Sequence, residues 1–122
     1  MKLHLARNDN QNAFTGYGEG YVVVNAVRYE RNLVVLPDRP VEDWAVAGVD
    51  TLREQDLESL AGLGVEIVLL GTGKSLRFLH PRLLQPLARA RVGVEVMDTR
   101  AACRTYNILV AEGRKVAAAL IL

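Results

Sequence analysis

Three short apolar runs in the second half of the chain constrain its fold more than any other feature. They lie at residues 65–70, 94–97 and 116–122, and the segments between them carry apolar residues at helical spacing. Pro81 suits the first turn of one such helix, and Gly113 suits the end of the other. Alternation of strands and helices favours parallel pairing, since a crossover between parallel strands needs about a dozen residues. The sequence therefore predicts a βαβαβ unit in this half.

The first half of the chain has the pattern of successive strands. A β-branched run at 21–29 predicts a strand, residues 30–32 predict a hairpin turn, and 33–36 predict a second strand that Pro37 ends. Residues 41–46 predict a third extended segment. Three glycines, Gly16, Gly18 and Gly20, indicate a flexible approach to the first strand. We expect an N-terminal β meander.

Helix boundaries are indicated by capping residues. Thr51 and Glu54 match the spacing of a capping box, which predicts a helix that Gly62 ends. Pro86 interrupts the following helical segment and predicts a kink or a break. The last helix is expected to begin at Asp98 or Thr99 and to bury a stripe of four residues: Ala102, Tyr106, Leu109 and Val110.

Composition narrows the class of protein. The 122 residues suffice for one domain, no linker divides them, and we expect a single domain over 1–122 with 1–15 as a candidate flexible segment. The longest apolar run is far shorter than the ~18 residues of a membrane helix, so we expect no membrane span. One cysteine, Cys103, excludes an internal disulfide and favours a cytoplasmic location. A pI of about 7.9 makes a nucleic-acid partner unlikely.

Charge is distributed unevenly between the two halves. Residues 1–61 carry six Lys or Arg and ten Asp or Glu, a balance of −4, whereas residues 62–122 carry nine and four, a balance of +5. Such asymmetry is typical of a face for anionic ligands or acidic partners.

Two segments emerge at the same end of the predicted parallel strands, where such folds place ligand sites. The first comprises Gly71, Thr72, Gly73, Lys74 and Ser75. Its backbone amides and its lysine are suited to an anion, but glycines also serve tight turns with positive φ. The sequence leaves both interpretations open and favours the turn.

The second segment opens the last helix and comprises Asp98, Thr99, Arg100, Arg104 and Asn107. Asp98 and Thr99 are suited to capping, and an aspartate is also suited to act as a general base, although no partner residue is evident. Helical spacing places Arg100, Arg104 and Asn107 on one stripe of this helix. This stripe is interpreted either as a solvated polar face or as a binding surface in which the planar guanidinium of Arg104 binds a carboxylate.

Other reactive side chains give weaker signals. Cys103 lies near the start of the last helix, where the helix dipole lowers a thiol pKa, but a buried core thiol is the favoured interpretation. His4 and His80 lack ligand spacing, so the sequence predicts neither a metal site nor a cofactor. Lys74, Arg77 and Arg82 are candidates for a basic rim near the glycine loop.

Several of these segments together resemble a known family. The resemblance rests on 69–73, Phe78, Pro81, 93–99, 101–107 and 111–120, with support from the glycine-rich approach, 29–37 and Trp44. The pattern is similar to a small domain-of-unknown-function family that includes mitochondrial complex I assembly factor 3 and many bacterial and archaeal proteins. The resemblance implies a three-layer α/β fold with a mixed central sheet. The lack of a mitochondrial presequence pattern points to a bacterial member.

Two functional hypotheses follow from these observations. The resemblance implies a non-enzymatic protein-interaction or assembly factor, acting on respiratory or other membrane complexes, and it transfers no catalytic residue. The alternative is a small anionic-ligand-binding protein or enzyme that uses the surface near Gly71–Ser75 and Asp98–Arg104. An interaction module should expose a broad apolar or charged patch, whereas a ligand protein should have a closed pocket of roughly 300 Å³ or more.

Overall fold

The computed structural model describes residues 10–122, which form eight strands and three helices. In chain order they are β1 (Phe14–Gly18), β2 (Tyr21–Val24), β3 (Val27–Tyr29), β4 (Leu33–Val35), β5 (Glu42–Asp43), α1 (Glu54–Ala61), β6 (Ile67–Thr72), α2 (Pro81–Arg89), β7 (Gly93–Met97), α3 (Thr99–Ala111) and β8 (Val116–Ile121). A short 3₁₀ turn, Val49–Thr51, precedes α1.

A mixed five-stranded sheet forms the centre of the fold, in the order β5-β4-β8-β6-β7. Strand β6 pairs in parallel with both β7 and β8, and β8 pairs antiparallel with β4. The predicted βαβαβ unit is confirmed as β6-α2-β7-α3-β8, and the predicted mixed central sheet is also confirmed.

Two apolar layers cover the faces of this sheet. Strand β8 is buried throughout, and its alternate residues Val116, Ala118 and Leu120 join the core formed with α3 and β1–β2. Its other residues join a second core with α1 and α2. The second core includes Leu57, Leu60, Val68, Leu70, Leu87, Ala117 and Ala119. The predicted three-layer α/β fold is therefore confirmed.

The first half differs from the predicted meander in its turns. The run at 21–29 is two strands, because Asn25 and Ala26 take φ values of 49° and 67° and form a two-residue turn that pairs Val24 with Val27. The predicted single strand is wrong. Such turns favour Asn-Gly, and the sequence signal was missed because alanine occupies the second position. The hairpin predicted at 30–32 is also wrong, since β3 and β4 lie in different sheets.

The glycine-rich approach is also structured differently from the prediction. Residues Phe14–Gly18 form β1, which pairs antiparallel with β2 across a turn at Glu19 and Gly20. Strands β1, β2 and β3 form a separate three-stranded sheet. Of the extended segment predicted at 41–46, only Glu42–Asp43 pairs as a strand.

Helix α1 begins later than its predicted capping box. Thr51 lies in the 3₁₀ turn, and the backbone N–H of Arg53 donates to Asp56 Oδ2 at 2.9 Å. The capping box predicted from Thr51 and Glu54 is therefore wrong. Helix α2 continues through Pro86 to Arg89, so the predicted break is absent.

The flexible segment predicted for residues 1–15 falls mostly outside the described chain. Residues 1–9 are not described, and Phe14 and Thr15 belong to β1. Among the helices of residues 10–122, none has both the length and the apolar character needed to cross a bilayer.

The strained turn at Ala26 leads to a prediction on stability. Ala26 is exposed, so Ala26→Gly removes no buried contact. In the folded state, glycine removes a steric penalty of roughly 1–2 kcal/mol for the left-handed conformation. In the unfolded state, its extra conformational entropy opposes this gain by about 0.5–1 kcal/mol. We expect the free energy of unfolding in urea to rise by about 0.5–1 kcal/mol. Ala90→Gly is the control, because Ala90 is exposed with φ −84°, and no gain is expected there.

Candidate functional site

The two candidate segments meet at one edge of the central sheet and are fastened by Thr99. Gly73 has a φ of 94°, and its N–H donates to Thr99 Oγ1 at 2.8 Å. The Thr99 N–H donates to the Gly73 carbonyl at 2.9 Å, and the Thr99 hydroxyl donates to the Ile121 carbonyl at 2.6 Å. Thr99 is buried. The Gly73 amide is thus committed inside the fold.

Gly71 lets α3 approach the sheet closely. A Cβ at this position would lie 2.8 Å from both Leu120 Cδ2 and Thr99 Oγ1. Contacts shorter than 3.0 Å require the neighbours to move. Gly71 therefore has a packing role in β6.

The loop after β6 is closed by its own hydrogen bonds. The Thr72 hydroxyl donates to the Ser75 carbonyl at 2.7 Å and accepts from the Arg77 N–H at 3.0 Å. Arg77 pairs with Asp50 at 2.5 Å. This arrangement is a closed turn, in which the side chains of Lys74 and Ser75 face solvent.

Asp98 caps α3, as its position in the sequence indicates. Its Oδ1 accepts from the Ala101 N–H at 2.9 Å. The carboxylate is thereby held against the first turn of the helix, where it balances the positive end of the helix dipole.

Asn107 does not belong to a solvated helix face. It is 4% exposed, its Nδ2 donates to the Phe14 carbonyl at 2.8 Å, and its Oδ1 accepts from the Phe14 N–H at 2.9 Å. The side-chain amide thus completes the backbone hydrogen bonding of β1. The prediction of a polar stripe with Arg100 and Arg104 is wrong at this position, because the N-terminal sheet packs over that side of α3.

Arg104 and Arg100 both lie near the ring of Tyr17. Arg104 donates to the Tyr17 hydroxyl at 2.8 Å, and each guanidinium carbon is 5.9 Å from the centre of the ring. The planar group of Arg104 is engaged by the protein itself. None of the ion pairs found within residues 10–122 includes Arg100.

A cleft of about 250 Å³ opens between the β1–β2 turn and these segments. Tyr17, Tyr21, Lys74 and Arg100 contribute to its lining together with Gly18, Glu19, Gly20, Gly73, Thr99 and Leu122. Across it, Lys74 Nζ lies 3.8 Å from Glu19 Oε1, and both side chains are 82% exposed. Such exposed pairs are weak, so Lys74 remains accessible to another anion.

The tyrosines of this cleft were missed by the sequence analysis. The three glycines were interpreted as a flexible approach, whereas Gly18 pairs with Tyr21 across a two-residue turn at Glu19 and Gly20. Glu-Gly is not one of the usual two-residue hairpin signals, so the local sequence does not place these tyrosines at strand ends or beside α3.

Cys103 is fully buried, and burial raises the pKa of its thiol to about 12. The helix-dipole interpretation predicted a lowered pKa and is wrong, because desolvation by burial is the largest influence on this thiol and exceeds the lowering effect of the Arg104 charge. Within the described part of the chain, no cluster of three or more His, Cys, Asp or Glu side chains is arranged to hold a metal ion.

Comparison with known proteins places the chain among recognised relatives. A family model described as protein of unknown function (DUF498/DUF598) matches residues 14–121. The chain is 40% identical over 90 residues to the mouse NADH dehydrogenase [ubiquinone] 1 alpha subcomplex assembly factor 3, covering 72% of this chain and 48% of the mouse protein. It is 34% identical to an uncharacterised Rhodobacter capsulatus protein, covering 87% and 81% of the two chains. These matches confirm the resemblance predicted from the sequence.

A crystal structure from Bordetella parapertussis shares the fold, with a TM-score of 0.87 and 45% identity over 91% of this chain and 95% of that one. The chain spans about half to two thirds of the mouse, rat and bovine assembly factors, and 33% of the zebrafish one.

The hydrogen bonds of Thr99 predict a measurable loss of stability. Thr99→Val removes the acceptor of the Gly73 N–H and the donor to the Ile121 carbonyl. Each of the two buried groups left without a partner costs about 1–3 kcal/mol, so we expect a loss of roughly 2–6 kcal/mol in urea denaturation. Thr99→Ser keeps the hydroxyl and should lose less than about 1.5 kcal/mol. Equal losses in the two variants would contradict this role of the hydroxyl.

Proposed function

Because the chain belongs to the family of proteins of unknown function DUF498/DUF598, we propose that it is a non-enzymatic protein-interaction module that acts as an assembly factor. The complex it serves is proposed to be a respiratory or other membrane complex of a bacterium, with this chain acting from the cytoplasm as one domain. The name of the mouse relative supports the assembly role by analogy.

One observation carries this proposal: the polar groups at the sheet edge serve the fold, while the cleft keeps exposed cations. The Gly73 amide, the Thr99 hydroxyl and the Asp98 carboxylate all have partners within the protein. The cations Lys74 and Arg100 are among the exposed side chains of the cleft, which they line together with tyrosine rings. These groups are suited to contact a partner rather than to transfer a proton or attack a carbonyl.

The chemistry of the cleft indicates the kind of contact. Tyrosine and arginine are enriched at protein interfaces, because an amphipathic ring or a planar cation gains contact area with few rotatable bonds. Arg100 is exposed and has no ion pair with residues 10–122, which favours an acidic side chain of the partner. We therefore propose that the surface formed by Gly71–Ser75, Asp98–Arg100 and Arg104 binds a protein segment that carries a carboxylate.

The competing hypothesis is a small anionic ligand in the same cleft. Lys74 and Arg100 favour an anion, and the two concave surfaces that border the Gly71–Ser75 segment measure about 250 and 460 Å³, on either side of the roughly 300 Å³ of ordinary small-molecule sites. Volume therefore does not separate the two hypotheses, and the capture experiment does. Nucleic acid is not part of the proposal.

Capture of partners from a lysate of the source organism tests the proposal. The bait variant is Lys74→Ala with Arg100→Ala; Arg104 is kept because it supports Tyr17. Each lost charged contact weakens binding by roughly tenfold, so we expect the partner recovered by the wild type to be depleted in the variant. Quantitative mass spectrometry measures the recovery.

Arg53→Ala with Lys115→Ala is the matched control, since both residues are exposed and outside the cleft. The control should recover the partner as the wild type does. Equal recovery by all three baits would remove the cleft from the proposal. An anion that native mass spectrometry detects on the wild type, and that the cleft variant lacks, would favour the ligand hypothesis if no protein is recovered.

A further inference from the structure

We propose that residues 74–82 bind an anionic lipid surface, with the side chains of Leu76 and Phe78 entering the headgroup region. This inference goes beyond the proposed function and centres on Leu76 and Phe78, which do not line the cleft, while Lys74 belongs to both surfaces. It begins from two large apolar side chains in the loop between β6 and α2, since Leu76 is 65% exposed and Phe78 is 82% exposed.

The clustering of these two residues distinguishes them from ordinary exposed apolar side chains. Among residues 10–122, four large hydrophobic side chains are exposed. Two of them, Leu76 and Phe78, lie in this loop with a single residue between them. Val27 and Ile108 are single exposures on β3 and α3, and isolated exposures of that kind are common on protein surfaces.

The loop is fastened on both sides of Phe78. Leu79 is 7% exposed and packs in the core beneath α1 and α2. The Arg77 N–H donates to Thr72, and the Arg77 guanidinium pairs with Asp50. His80 Nδ1 accepts from the Arg82 N–H at 3.1 Å. Because its neighbours are tied down, Phe78 is held outward and does not fold back onto the core.

The segment that contains the loop is positively charged over a long stretch of sequence, and within it Lys74 and Arg77 lie against carboxylates of other elements, Glu19 and Asp50. Residues 67–94 contain five Lys or Arg and no Asp or Glu. Lys74 and Arg82 are exposed on either side of the two apolar residues. Apolar side chains flanked by cations are typical of segments that bind anionic membranes, where burial of the apolar groups adds to attraction by the headgroups.

The size and shape of the loop favour a lipid surface over a protein partner or a second copy of the chain. A stable protein interface buries about 1,200–2,000 Å² in total, and needs a broad patch. The two exposed side chains, Leu76 and Phe78, provide far less area. Lipid packs around protruding side chains individually, so a small apolar tip with adjacent cations is sufficient there.

Sedimentation with vesicles tests the inference on the full chain. The vesicles are phosphatidylcholine alone, or phosphatidylcholine with about a third phosphatidylglycerol, at about 0.1 M salt. We expect binding to the phosphatidylglycerol vesicles only, and a marked loss at about 1 M salt, where the screening length falls to roughly 3 Å.

Leu76→Ser with Phe78→Ser should weaken the partition by at least about tenfold, since two apolar side chains leave the lipid. Val27→Ser with Ile108→Ser is the matched control and should bind like the wild type. Arg82→Gln should weaken the partition by roughly fivefold, whereas Arg53→Gln should not. Circular dichroism establishes that each variant is folded.

A second readout reports insertion directly. Phe78→Trp places an indole at the tip, and its emission should shift to shorter wavelength when phosphatidylglycerol vesicles are added. Trp44 is 6% exposed and supplies a constant background. An unchanged emission maximum would count against insertion.

Three results would overturn the inference. They are failure of the wild type to bind phosphatidylglycerol vesicles, equal partition of the Leu76→Ser, Phe78→Ser variant, and a protein partner or a dimer that this variant loses while vesicles bind none of the proteins. The Leu76→Ser, Phe78→Ser variant keeps both cleft cations, Lys74 and Arg100, so it should still capture the protein partner while it loses vesicle binding. A failure of partner capture is therefore distinguishable from a failure of membrane binding.

Discussion

The double burial of β8 is the constraint on which the rest of the structure depends. This strand pairs with β4 on one side and β6 on the other, and all six of its residues are buried. Because its three alanines have small side chains, helices can pack closely against both faces of the sheet. At the end of β8, the Ile121 carbonyl accepts a hydrogen bond from the Thr99 hydroxyl. Leu120 packs against Gly71, where a side chain would collide with it. The candidate surface is thus positioned by the core strand.

The second half of the fold could be predicted because its signals are local. Each strand of the βαβαβ unit is a short apolar run, and each helix has its own boundary residues. Parallel topology then places the ends of β6 and β7 at one edge of the sheet, which is why the two candidate segments were expected to be neighbours. The first half lacked such signals. The turn at Asn25 and Ala26 holds an alanine at positive φ, against its local preference, because pairing of β2 with β3 requires it.

The details of the candidate site depend on contacts between residues far apart in the sequence. The Asn107 side chain hydrogen-bonds the backbone of Phe14, and Arg104 donates to the Tyr17 hydroxyl. The roles of both residues therefore depend on β1, a strand some ninety positions away in the sequence. Helical spacing alone places these side chains on one stripe and cannot show that a second sheet covers part of it. Asp98 was predictable as a cap because its partner is three residues along the same helix.

The positions of the cleft and of the exposed loop connect the two proposals physically. Lys74 lines the cleft, and Leu76 begins the apolar tip two residues later, a separation of at most about 7 Å along the backbone. If Leu76 and Phe78 enter a lipid surface, Lys74 is held within a Debye length of the headgroups, about 8–10 Å at physiological salt. Acidic lipids would then compete for Lys74, and a protein segment would need a well-placed carboxylate to displace them. Membrane attachment would in this way select a partner that is itself held at the membrane, since only such a partner presents its acidic segment at high local concentration.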